Sequence, residues 1–122
     1  MSGTKQLEYF HSEMRQIASL RNRHPDPLVE IHPETAASLG IAEGEWVLLE
    51  LPCGGARFVA KLFDGIGRDV VNAKHAWWRP EAPALDYGWR ESCANLRYGA
   101  EHFDPDTGAE PLKCYLCRVV KV

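Results

Sequence analysis

Apolar and polar positions alternate most clearly between residues 46 and 63. Trp46-Val47-Leu48-Leu49-Glu50-Leu51 and Ala56-Arg57-Phe58-Val59-Ala60-Lys61-Leu62-Phe63 read as two strands. Pro52-Cys53-Gly54-Gly55 between them is turn chemistry, so the pair predicts a hairpin. Leu28-Val29-Glu30-Ile31 predicts a shorter strand. His32 to Gly40 predicts a compact helix, with His32 as cap, Pro33 in the first turn and Gly40 just past the end. A turn at 64–67, a strand at 69–73 and a last strand at 113–122 complete the pattern. Upstream, Phe10, Met14, Ile17 and Leu20 recur at helix-like intervals and predict up to three helical turns, ended by His24-Pro25-Asp26-Pro27. Residues 79–111 read as a long loop whose Tyr87, Trp89 and Tyr98 argue against disorder. Roughly six short strands at regular intervals, with one short helix between the first two, predict a mainly β fold closed into a barrel.

Composition narrows the function classes. The chain has 122 residues, enough for one domain, and its 45% hydrophobic content supports a core without covalent staples. A net charge of −3 argues against general nucleic-acid binding, which needs a basic stripe, but leaves an anionic small molecule open. No apolar run reaches the ~18–20 residues of a membrane helix, and no signal-peptide core follows the first residues. A cytoplasmic, reducing compartment is the default for this segment, so the four cysteines read as structural thiols. Cys114 and Cys117 form a C-x-x-C with no second close pair. On the expected last strand they would point to opposite faces, which argues against a shared metal.

The chemistry-bearing residues favour binding over catalysis. No G-x-S-x-G, H-E-x-x-H or P-loop is present, so nothing specifies a self-contained reaction. His11, Ser12, Arg15, Gln16, His75, Trp77, Asn95 and Lys113 are donors and flat rings without an easy core role. Each also has a plain reading. Arg15 suits a solvated helix face, Asn95 a turn, Trp77 a core and Lys113 an edge-protecting charge. Taken together they suit a ligand carrying phosphates and heterocycles, because guanidinium and ammonium groups meet phosphate oxygens while rings and amides take a heterocycle. The stretch Lys74-His75-Ala76-Trp77-Trp78-Arg79-Pro80 poses the choice most sharply, as either a core plug or a ligand shelf.

At these residues the sequence resembles the C-terminal molybdopterin-dinucleotide-binding domain of the dimethyl-sulfoxide-reductase type of molybdenum and tungsten oxidoreductases. Four stretches carry the resemblance: Tyr9-Phe10-His11-Ser12-Glu13 with Arg15-Gln16-Ile17; Val29 through Val47; His75-Ala76-Trp77-Trp78, close to the family's histidine–glycine–tryptophan–tryptophan; and Ala94-Asn95, Phe103-Asp104-Pro105, Thr107-Gly108, Lys113 and Cys117-Arg118-Val119. The resemblance implies a double-psi β-barrel of the aspartate-decarboxylase-like kind, with residues 1–27 supplying a cofactor-contacting loop and 28–122 the barrel core. It implies that Lys5, His11, Ser12, Arg15, Gln16, His75, Trp77, Trp78, Asn95 and Lys113 contact a molybdopterin guanine dinucleotide. Molybdenum or tungsten, and any iron–sulfur cluster, would belong to other domains or subunits, and the resemblance is compatible with an exported parent enzyme.

Two departures accompany the resemblance. The family's strand before the Tyr-Phe-His is reduced here to Ser2-Gly3 and Lys5, so that strand is expected to be missing. The four-cysteine iron–sulfur segment and a metal-ligating residue are also missing, so the chain is expected to be a fragment or small subunit that is not catalytic alone. The competing reading is a cofactor-free double-psi-barrel adaptor or regulatory module. Net charge speaks against a regulator with a basic face but does not speak against an adaptor.

Overall fold

The computed structural model describes residues 1–83, 85, 87–97, 104–109 and 115–122. In chain order they form β1 (Ser2–Thr4), α1 (Ala18–Arg21), β2 (Leu28–Ile31), α2 (Pro33–Ser38), β3 (Trp46–Leu51), β4 (Gly54–Leu62), β5 (Val71–Lys74), α3 (Trp89–Ser92), a 3-10 turn (Ala94–Arg97) and β6 (Arg118–Lys121).

The alternation predicted at residues 46–63 is the centre of the fold. β3 and β4 pair antiparallel, with Val47 opposite Phe58 and Leu49 opposite Ala56, and all four are buried on one face. Gly55 sits beside Leu48 across the hairpin, and a Cβ there would lie 2.7 Å from Leu48 Cδ1, so a side chain at this position would push the leucine side chain aside. β2 pairs parallel with β4 and antiparallel with β5, which buries Val29, Ile31, Val71 and Ala73 on the same core face. Phe58 is fully buried in this cluster, and its truncation to alanine would cost about 3–5 kcal/mol.

α2 forms as the sequence predicts. His32 Nδ1 accepts from the Glu34 amide at 3.2 Å, which caps the first turn, and Pro33 follows it. At the other end Ile41 N donates to Ala36 O and Gly40 N to Ala37 O, a Schellman arrangement that needs the left-handed Gly40 at φ 66°. Ile41 then turns into the core.

Four expectations are corrected. Among the described residues the sheet is open, in the order β1-β5-β2-β4-β3-β6, rather than closed. Its edges approach through the terminal amine of Met1, which donates to Tyr115 O just ahead of β6, and among the described residues no strand ladder joins them. Among the described residues the last strand covers Arg118–Lys121, and residues 113–114 of the expected strand lie outside them. The strand expected to be missing is present as β1, pairing parallel with β5. The predicted N-terminal helix is confined to α1, because the chain turns through left-handed conformations at His11 (φ 53°) and Met14 (φ 67°), leaving Phe10, Met14 and Ile17 exposed.

Cys93 is buried as a structural thiol should be and Cys117 is half-buried, whereas Cys53 is exposed in the hairpin turn; Cys114 lies outside the described residues. Among the described residues no helix is long and apolar enough to cross a membrane, and no group of three metal-ligating side chains converges.

Candidate functional site

The site is built where β1 and β5 end together. β1 runs parallel to β5 with Thr4 opposite Lys74, and the His75 amide extends that ladder by donating to Thr4 O at 3.1 Å. The chain then bends sharply. Ala76 has φ 57°, a conformation that costs an L-residue roughly 1–2 kcal/mol, and its amide donates to Asn95 Oδ1 at 3.2 Å. That bend sends Trp77 inward and Trp78 outward. Trp77 is 1% exposed and Trp78 is half-buried.

Arg15 holds the bend from beneath. It is 1% exposed, with the centroids of Tyr9 and Trp77 each 4.4 Å from its guanidinium carbon. Its Nε donates to Ala76 O at 3.2 Å and one terminal nitrogen to Gln6 Oε1 at 3.1 Å, while the other reaches the carbonyls of His11 and His75 at 3.5 Å. Burial pulls its pKa below the usual arginine range, to about 10, so it remains charged at neutral pH. The plain reading of Arg15 as a solvated helix face is therefore overturned. Arg21 adds a second guanidinium 4.7 Å from the Trp77 ring and pairs with Glu81 at 2.7 Å.

Above this floor lie two histidines. His11 Nδ1 is 3.2 Å from His75 Nε2, so one ring donates to the other. Burial is the main force holding His75 below the ordinary histidine pKa, and the charges of His11, Arg15 and Lys5 push the same way against a favourable bond from the His75 ring to the Thr4 backbone. The ring pair thus sits in a locally cationic corner of an acidic chain.

Beside the bend opens a hollow of about 500 Å³ lined by Ser12, Ala76, Trp77, Trp78, Trp89, Cys93 and Asn95. Trp78 separates it from a second hollow of about 500 Å³ lined by Ser12, Glu13, Met14, Gln16 and Trp78. The Trp78 indole nitrogen donates to Ser12 O, and its ring meets Tyr87 edge-on at 5.8 Å. The buried Trp77 indole nitrogen has no hydrogen-bond partner among the described residues. The rings of Trp78 and Trp89 and the amide of Asn95 fit the face and edge of a flat, polar heterocycle.

The structure thus brings Ser12, Trp77, Trp78 and Asn95 to one hollow, Gln16 to its neighbour, and His11 and His75 into contact at the bend. Lys5 is exposed and lies 5.6 Å from the Phe10 ring centroid, outside both hollows. Lys113 lies outside the described residues. Sequence reasoning missed Gln6, Tyr9 and Arg21 as supports of the bend. Glutamine and arginine carry no periodic signal, and only their burial in the fold reveals the role.

Comparison with known proteins accords with this geometry. A family model, "Molydopterin dinucleotide binding domain", matches residues 1–115. Dopamine dehydroxylase of Eggerthella lenta is 42% identical over 113 residues, covering 93% of this chain and 11% of that protein. Acetylene hydratase of Syntrophotalea acetylenica is 32% identical over 80 residues, covering 66% of this chain and 11% of that protein. The solved structure of acetylene hydratase from Pelobacter acetylenicus superposes with a TM-score of 0.92 at 26% identity, over 98% of this chain and 18% of that one. This chain therefore spans about a tenth of the length of the curated relatives it matches, and it belongs to the molybdopterin dinucleotide-binding domain family.

Proposed function

We propose that the chain is the cofactor-cupping part of a molybdenum- or tungsten-dependent oxidoreductase, with residues 1–27 and 28–122 acting as one domain. The observation that carries this reading is the hollow at the bend, lined by Trp77, Trp78, Trp89 and Asn95. In this reading the nucleotide and pterin of a molybdopterin guanine dinucleotide rest against Ser12, Trp78 and Asn95, with Gln16 in the adjoining hollow and His11 and His75 at the bend. Arg15 acts through the loop it holds, since its donors are directed at Gln6 and the backbone. Lys5 and Lys113 complete the expected set as cations for the cofactor's phosphates. The bound metal dithiolene supplies oxygen-atom or electron transfer, and the rest of the enzyme holds the metal and any iron–sulfur cluster.

The double-psi barrel belongs to the same proposal. Its support is the parallel pairing of β1 with β5 and of β2 with β4 inside an otherwise antiparallel sheet, together with the acetylene hydratase superposition. Similarity to dopamine dehydroxylase and acetylene hydratase supports a parent enzyme of that class, whose substrate its other domains would set.

Native mass spectrometry of the purified parent complex, paired with guanine-nucleotide titration of tryptophan fluorescence, tests the reading. A bound mass of the dinucleotide and a saturable change in the tryptophan signal are expected. A complex free of cofactor, with fluorescence flat at millimolar nucleotide, would instead establish the cofactor-free adaptor.

A further inference from the structure

Two rings of the tryptophan-lined hollow flank one loop. Trp78 leads into it and Trp89 follows it, and both line the hollow. A backbone bond closes the neck of the loop, with Arg79 N donating to Tyr87 O at 2.7 Å. Inside the neck Ala82 N donates to Arg79 O at 3.1 Å. The chain leaves through two consecutive left-handed residues, Tyr87 at φ 48° and Gly88 at φ 69°. Glycine adopts that conformation freely and tyrosine resists it, so the neck needs support from outside its own sequence.

That support comes from α1. An Arg21 terminal nitrogen donates to Glu81 Oε1 at 2.7 Å, across sixty residues of sequence. Exposed ion pairs contribute little, because water screens both charges. Here the two ends differ: the Glu81 side chain is 63% exposed, but that of Arg21 is only 13% exposed. The Arg21 guanidinium carbon lies 4.7 Å from the Trp77 centroid, and its other terminal nitrogen is buried without a hydrogen-bond partner. Among the described residues Glu81 is thus the one carboxylate paired with this largely dry charge. The Arg21 hydrogen bond holds the Glu81 carboxyl below the usual carboxylate range, and the Arg79 charge pulls the same way, so the pair stays ionised at neutral pH. One arginine therefore touches the inner ring of the bend, Trp77, and the loop that separates the outer rings, Trp78 and Trp89.

We propose that Glu81 is a positioning residue for the ligand of the hollow. It does not line the hollow. By anchoring the loop to Arg21 it holds Trp78 and Trp89 at the spacing that a flat heterocycle requires, so less ordering is left to be done when the ligand binds. This role rests on the cofactor reading above. It adds to that reading a residue outside the cofactor-contacting set and a reason for the Arg21 side chain to lie against Trp77.

Hydrogen-exchange mass spectrometry of the parent enzyme, paired with its dinucleotide content after gel filtration, tests this in Glu81→Ala and Glu81→Gln. In Glu81→Ala, exchange over residues 76–89 should quicken roughly threefold and the dinucleotide should be lost roughly threefold faster. Exchange over the β3–β4 ladder should stay as in the unmodified enzyme. Glu81→Gln keeps an acceptor within reach of Arg21 and should recover part of both effects. Unchanged exchange over 76–89 in Glu81→Ala would overturn the tether. Faster exchange with undiminished dinucleotide would overturn the positioning role. A parallel rise over the β3–β4 ladder would also overturn it, since the pair would then serve general stability. An unmodified parent that carries no dinucleotide is a different result, which sinks the cofactor reading itself and this role with it.

Discussion

Arg15 and Trp77 bury each other: each is 1% exposed, and the guanidinium carbon lies 4.4 Å from the indole centroid. The arginine also donates to the Ala76 carbonyl, so one side chain fixes both the direction of the bend and the ring that the bend sends inward. Truncation removes the stack and several charge-assisted hydrogen bonds at once. Arg15→Ala should lower unfolding free energy by about 3 kcal/mol, read as a fall in the urea midpoint. Arg15→Lys should recover only part of it, because an ammonium cannot lie flat between Tyr9 and Trp77. A lysine variant as stable as the parent would show that charge, not shape, holds the loop.

Ala76 occupies the left-handed region at φ 57°, at the place where the resembling family has glycine. Ala76→Gly relieves that strain, at the expense of extra freedom in the unfolded chain. A net gain of up to about 1 kcal/mol is expected. Thermal melts of the two proteins decide it, and a clear loss of stability would mean that the alanine methyl contributes packing that outweighs the strain.

His75 supplies a pH dependence with a definite sign. Its folded-state pKa lies below its unfolded value, chiefly because of burial, so the unfolded chain binds the extra proton more readily. The contribution is fully present above the unfolded value of about 6.5 and is lost as pH falls from there toward the depressed folded value. Melting temperature should drop between neutral pH and mildly acidic pH, and His75→Gln should flatten that part of the profile. An unchanged slope in the variant would assign the dependence to other groups.

His75→Ala should leave folding nearly intact while weakening cofactor retention in the full enzyme. The ring is half-buried, and its His11 contact is a single exposed hydrogen bond. Metal and nucleotide content after gel filtration measures retention. Unfolding of the domain instead would mean that the bend is a structural plug.

Asn95→Ala removes the acceptor that holds the Ala76 amide. A stability cost of about 1 kcal/mol is expected, together with a loss of guanine-nucleotide quenching of tryptophan fluorescence. Quenching equal to that of the unmodified chain would place the nucleotide away from this hollow.

Local patterns were the legible part of this molecule. The β3–β4 hairpin and the capped α2 were readable because their pairing partners, caps and turn residues lie within a few positions of one another. The N-terminal stretch misled for a matching reason. Phe10, Met14 and Ile17 have helical spacing, yet the chain is left-handed at His11 and Met14, and His11 meets a residue some sixty positions away, His75. Arg15 reads as solvated because arginine seldom lacks water, and only the two rings and four carbonyl-type acceptors around it explain its burial. Trp77 read locally as a core residue, and it is one, while its neighbour Trp78 faces the hollow.

The three-residue ladder of β1 with β5 has a kinetic consequence. Ser2 pairs with Asn72, and no nearer strand holds β1. Contacts between distant positions close late in folding, after local hairpins have formed. The corner that joins His11, Arg15 and His75 is therefore expected to close after the β3–β4 hairpin and to open before it. Amide exchange should be faster at Thr4 and His75 than at the β3–β4 ladder, so cofactor loading would meet a finished core with an unlatched clasp.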